Sequence, residues 1–253
     1  MYSSSMSKFV LLFGSCTVLT LFFQMSSLER MVISDGDDET SQSRIRRRKL
    51  GDGCYHVLLD VGANIGIHAR FLYEPDRYPD SKTSVAAFAE KFGSQRDNRD
   101  YCVFAFEPNP KFEQRHLDLE KAYNAMGWRY TPILAGVSNA NGNMTFYHTH
   151  REKAESEVGF SAVTPKTLYG GDATAKTVQI IRLATWIQDE IQDRQIPIQK
   201  SEILSPPTVI MKLDIEGLEY KVCLTLIMDI MPVFLPLCFA PHHFPFSSVQ
   251  GIS

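Results

Sequence analysis

The 253-residue sequence has no C-x-x-C pair, which argues against a zinc ribbon and a thioredoxin-type redox site. Its five cysteines (Cys16, Cys54, Cys102, Cys223 and Cys238) are scattered and odd in number. No cysteine framework is therefore expected to staple the core. Charge of one sign is also scarce: 26 Lys and Arg stand against 29 Asp and Glu, a net charge of −3. Nucleic-acid binding needs a strongly basic face, so no nucleic-acid partner is expected. The dinucleotide fingerprint G-x-G-x-x-G is missing as well. In Gly62-Ala63-Asn64-Ile65-Gly66-Ile67, Asn64 and Ile67 stand where the second and third glycines belong. That spacing disfavours a nicotinamide dehydrogenase. No site is expected for a metal, because His148 and His150 share a strand face without a third ligand. With 44% hydrophobic and 22% charged residues, most of the chain has the composition of a globular domain.

A long apolar run is almost lacking too. Phe9–Phe23 (FVLLFGSCTVLTLFF) would reach ~22 Å as a helix, short of the ~30 Å hydrocarbon core. No A-x-A-like cleavage site follows it. Residues 1–25 thus read as a signal anchor or a signal peptide. The expected location is a single-pass membrane protein of the endomembrane or secretory pathway. Residues 26–53 read as a polar, basic stem ending in Arg44, Arg46, Arg47, Arg48 and Lys49. A positive-inside count of that cluster favours a cytosolic C-terminal domain, so the side of the membrane stays open.

The body, residues 54–223, alternates short apolar runs with amphipathic segments. Strands are expected at His56–Val61, Cys102–Phe106, Tyr130–Val137, Met144–Tyr147 after an Asn141-Gly142 turn, Val178–Leu183 and Val209–Asp214. Helices are expected from Gly66 to Tyr73, over about Lys111–Met126, after a Thr185 cap, and from about Leu218. In the second of these, Phe112, Leu117, Leu119 and Ala122 are the expected apolar positions. Such alternation predicts βαβ units and a mainly parallel sheet with helices on both faces. Glu74–Asp100 reads as a polar insertion. Arg151–Ala175 reads as a long connection able to serve as a lid.

Ligands of open α/β sheets bind beyond the carboxyl ends of the strands. Three such ends carry acids: Asp60, Glu107 and Asp214. After Asp60, Gly62 and Gly66 permit a tight bend and a close backbone approach. D-x-G-x-N-x-G fits a loop that accommodates an amino-acid moiety, and Glu107 is placed to accept hydrogen bonds from both hydroxyls of a ribose.

Four blocks, LLDVGANIGIHARF (Leu58–Phe71), FAFEPNP (Phe104–Pro110), AGVSNANGNMTFY (Ala135–Tyr147) and IMKLDIEGLEYKV (Ile210–Val222), occur in this order. They resemble the successive signatures of the FkbM-type S-adenosylmethionine-dependent methyltransferases. The resemblance implies a class I, Rossmann-like methyltransferase fold, S-adenosyl-L-methionine as cofactor, and O-methylation of a sugar or other small acceptor. By position it implies a cofactor loop of Asp60, Gly62, Asn64 and Gly66, with Glu107 on the ribose and Ser138 and Asn139 near the adenine. Asp214, Glu216 and Glu219 fall in its K-x-D-x-E-G-x-E block close to the transferred methyl. Asp214 is the first candidate base and Glu216 the second. Lys212 reads as a strand-edge or pocket cation.

Past Val222 the pattern ends. Residues 224–253 are an apolar tail with Pro232, Pro236, Pro241 and Pro245. The final strand hairpin of a complete sheet is expected to be missing, leaving an unpaired edge. The alternative function is a catalytically silent S-adenosylmethionine-binding remnant.

Overall fold

A computed structural model of the chain describes residues 19–23, 46–93, 97–149, 160–162, 173–197, 206–215 and 217–230. The central strand β2 (His56–Val61) and its neighbour β3 (Tyr101–Phe106) are buried at every residue. Continuous apolar strands suit the centre of a parallel sheet, where both faces are covered. The larger sheet also holds β1 (Leu19–Phe23), β4 (Arg129–Ile133) and β8 (Val209–Leu213), in the order β1-β8-β2-β3-β4. All its pairings are parallel except β1 with β8.

The period of two along each strand separates two cores. Leu59, Val61, Phe104, Phe106, Met211 and Leu213 face one way, under α4 (Leu183–Glu190) and α5 (Glu219–Ile230). Leu58, Val103, Ala105 and Ile210 face the other way. They pack with α1 (Ile67–Tyr73), α2 (Lys82–Phe92) and α3 (Glu113–Ala125). A second sheet, β5 (Gly136–Ser138), β6 (Gly142–Thr149) and β7 (Ala173–Arg182), has the order β5-β7-β6.

The class of fold agrees with the expected parallel sheet flanked by helices, and several details correct the sequence reading. Cys54 and Cys102 form a disulfide, although no cysteine staple was expected. Parallel pairing sets Val57 opposite Cys102 and so brings the start of β2 beside β3. The 48-residue separation hides this proximity in the sequence. The single strand expected over Tyr130–Val137 is two: β4 stays in the large sheet while β5 joins the small one. The supposed polar insertion Glu74–Asp100 contains α2, whose Phe88 and Phe92 complete the second core. In α3 the buried stripe is His116 and Tyr123, with Phe112 just ahead of it; Leu117 and Ala122 face solvent. α4 begins two residues before Thr185, whose hydroxyl instead accepts a hydrogen bond from Arg182 at 2.8 Å.

The outer edge of β8 is covered by β1. The rest of the apolar run Phe9–Phe23, and residues 231–253 of the tail, lie outside the described residues. Among those described, no helix is long and apolar enough to cross a membrane. The basic segment before β2 makes specific contacts. Arg46 pairs with Asp52 at 3.1 Å and Arg47 with Glu190 at 2.6 Å. Lys49 donates to the carbonyls of Gln188 and Gln192.

Candidate functional site

A cleft opens where β2, β3 and β8 end and the small sheet begins. Its geometry starts with a glycine. Gly62 follows β2 with φ +77°, and a Cβ there would stand 1.8 Å from the Asp214 carbonyl oxygen. Only a residue without a side chain lets the β2 loop lie against the end of β8. The N–H groups of Gly62 and Ala63 both donate to the Phe106 carbonyl at 3.0 Å, which ties the loop to β3 as well.

Glu107 sits at the floor. Its N–H extends the β3–β4 ladder by donating to Ile133. Its carboxylate accepts one N–H on each oxygen, from Asn64 at 2.7 Å and from Asn109 at 2.8 Å. Burial pushes its pKa up to about 7, against the opposing effect of those two N–H groups. The Asn64 loop is braced from below by His116 of α3. Its Nε2 lies 2.8 Å from the Asn64 carbonyl and its Nδ1 2.5 Å from the Tyr130 hydroxyl. A carbonyl can only accept, so this network assigns the proton to Nε2 and lets Nδ1 accept from Tyr130. Burial lowers the His116 pKa, consistent with a neutral ring.

Lys212 collects the acids of the opposite wall. Its ammonium donates to the Gly62 carbonyl at 2.6 Å and lies 3.6 Å from both Asp60 and Asp214. Asp60 and Lys212 are register partners on β2 and β8, so they share the sheet face that α1 covers. There the Asp60 carboxylate is wholly buried, 3.7 Å from His68 Nδ1, and it does not line the cleft. Asp214, by contrast, is 43% exposed at the cleft. His68 lines the cleft from α1, and burial lowers its pKa despite Asp60 beside it, so the imidazole is neutral near pH 7.

Of the residues expected at the site, Gly62, Asn64, Glu107 and Asp214 come together around the cleft. Gly66, with φ +75°, caps α1 and packs against Leu119 and Tyr130 rather than facing the cleft. Ser138 is buried at the end of β5, with its hydroxyl 3.2 Å from Asn139 Oδ1, and Asn139 is exposed; neither lines the cleft. The strand contributes Gly136 and Val137 there instead. Glu219 accepts the N–H groups of Ile215 and Gly217 and so shapes the turn after Asp214. Glu216 lies outside the described residues.

Sequence reasoning missed His68, His116 and the aromatic pair Phe146 and Phe160. The two phenylalanines stack at 5.1 Å and line the mouth of the cleft. Phe160 belongs to the long connection read as able to serve as a lid, and its neighbour Ser161 bridges to Tyr147. No apolar periodicity marks His116, because it is a polar residue on the buried stripe of α3. No spacing rule pairs Phe146 with Phe160.

No curated protein matches the chain, and no solved structure does. The methyltransferase FkbM domain matches residues 60–233, running past Val222, where the sequence resemblance had ended. A parallel sheet with acids at its strand ends, a glycine bend pressed on β8 and a match over well more than half of the chain lead to one conclusion: this protein belongs to the FkbM methyltransferase family.

Proposed function

We propose that this methyltransferase uses S-adenosyl-L-methionine and methylates a hydroxyl of a sugar or another small acceptor. One observation carries the reading: the Glu107 carboxylate at the cleft floor is aimed by one backbone N–H on each oxygen. Each oxygen keeps a lone pair, and the vicinal hydroxyls of a ribose are matching donors. Phe106, Pro108 and Val137 give the cleft an apolar wall beside that carboxylate, suited to a nucleoside base. The residues present therefore fit the cofactor.

When bound, S-adenosylmethionine supplies a methyl group already activated as a sulfonium. The protein's task is mainly to position the acceptor, which is worth ~7–11 kcal/mol in favourable cases. The acceptor hydroxyl must also lose a proton. Asp214 takes that role in this reading: it is exposed to the cleft, and Lys212 holds it in place. Neutral His68 on the same cleft is a further proton acceptor. Phe146 and Phe160 offer flat apolar surface to an acceptor entering the mouth.

The test couples calorimetric titration with S-adenosylmethionine to radiolabelled methyl transfer onto a panel of sugar hydroxyls. Glu107→Ala should abolish binding. Asp214→Asn should bind normally and turn over more slowly. Unchanged affinity in Glu107→Ala would overturn the cofactor assignment. Tight binding by the unaltered protein, with no transfer to any acceptor, would identify the silent binder instead.

A further inference from the structure

We propose that this domain folds in an oxidising lumenal or extracellular compartment and carries an N-linked glycan on Asn143. Two separate features point there. Asn143-Met144-Thr145 is the only N-x-S/T sequence in the 253 residues. It lies on β6, one of the two outer strands of the small sheet. The strand period turns Met144 and Phe146 toward the small core, while Asn143 and Thr145 are exposed. A glycan on Asn143 therefore stands on the face away from Phe146 and the cleft it lines.

The second feature is the disulfide between Cys54 and Cys102, both buried in the core beneath α4 and α5. Structural disulfides persist in secretory and extracellular compartments and are rare where thiols are kept reduced. Forming this one removes two protons and two electrons from the thiols, which a protein disulfide of that compartment accepts. The same compartment holds the glycan donor, a lipid-linked pyrophosphate oligosaccharide. The Asn143 amide nitrogen bonds to the anomeric carbon and loses a proton, the carbon–oxygen bond to pyrophosphate breaks, and the lipid pyrophosphate departs.

The apolar run Phe9–Phe23 is a segment able to direct such entry. The basic cluster Arg44–Lys49 pulls the other way in a charge count. That count biases insertion, whereas the disulfide belongs to the folded core itself.

The full chain should be expressed in cells with an N-glycosylating secretory pathway. The purified protein should lose mass on peptide-N-glycosidase treatment. Asn143→Gln and Thr145→Ala should each show the lower mass untreated, and Thr145→Ser should restore the higher one. Non-reducing peptide mass spectrometry should recover Cys54 linked to Cys102. A mass insensitive to the glycosidase, or a shift that persists in Asn143→Gln, would overturn the glycan. Free thiols at both cysteines after alkylation in denaturant would overturn the compartment. Thr145→Ser keeps the hydroxyl and the N-x-S/T sequence, so failed expression of one variant leaves the comparison among the others intact.

Discussion

The floor and the mouth of the cleft are built in opposite ways. At the floor, Gly62, Asn64 and Glu107 are locked by backbone hydrogen bonds to β3 and by the His116 brace. At the mouth, Asp214 is 43% exposed, and Phe146 and Phe160 come from a small sheet and a long connection. Backbone-held groups have little freedom to adapt, which suits one unvarying ligand. Side chains on a short sheet can repack around differing ones. In the proposed function, that contrast matches a constant cofactor at the floor and the acceptor at the mouth.

The sharpest way to break that contrast is Gly62→Ala. The added Cβ would meet the Asp214 carbonyl oxygen at 1.8 Å, with φ in the left-handed region. The atom it meets is a backbone carbonyl that cannot swing aside, so β2 and β8 must separate. A stability loss of more than ~3 kcal/mol is expected by denaturant titration, with loss of cofactor binding at temperatures where the variant stays folded. Replacing Cys54 and Cys102 together by Ala comes next. The closed loop of 48 residues predicts a loss of about 4 kcal/mol at most. Because the bond lies at the strand starts, far from the strand ends that open on the cleft, affinity below the melting transition should hold.

His116→Phe leaves the Asn64 carbonyl and the Tyr130 hydroxyl without their partner, a cost of ~1–3 kcal/mol. Here affinity should fall along with stability, since the brace supports the loop that aims Glu107. A pH series probes the floor alone. The Glu107 pKa of about 7 lies above its ordinary 4.5. The folded protein therefore holds that proton more tightly, and the residue's contribution makes stability fall as pH rises from 4.5 to about 7, then level off. Cofactor affinity should move the opposite way, since ribose hydroxyls need an ionised acceptor. It should drop by up to about tenfold per unit below pH 7, and Glu107→Gln should flatten the profile. The smallest effect is expected at the mouth: Phe160→Ala should cost under ~1 kcal/mol, leave cofactor affinity unchanged and raise KM for the acceptor.

The sequence was most readable where local rules act alone. HVLLDV and CVFAF are strands because continuous apolar runs flanked by turn residues satisfy only a buried parallel strand. Gly62 and Glu107 were legible from their places at strand ends, and both line the cleft. Reading failed where a polar residue is buried by a partner distant in sequence. His116 and Tyr123 escaped the apolar pattern of α3 because each satisfies its polar atoms inside the core, His116 on Asn64 and Tyr130, Tyr123 on Glu74. Asp60 was expected at the cofactor, but the pleat turns it to the α1 face, where Lys212 and His68 surround it.

The strands β2, β3 and β8, the helices α1 and α3, the parallel class of the sheet, the glycine bend and the acid after β3 follow from the residues alone, since each depends on neighbours within a few positions. The Cys54–Cys102 bond, the division of Tyr130–Val137 between two sheets, and the pairing of Leu19–Phe23 with β8 had to await the fold. Each joins segments whose proximity is created only when strands far apart in sequence align, and no local pattern encodes that alignment.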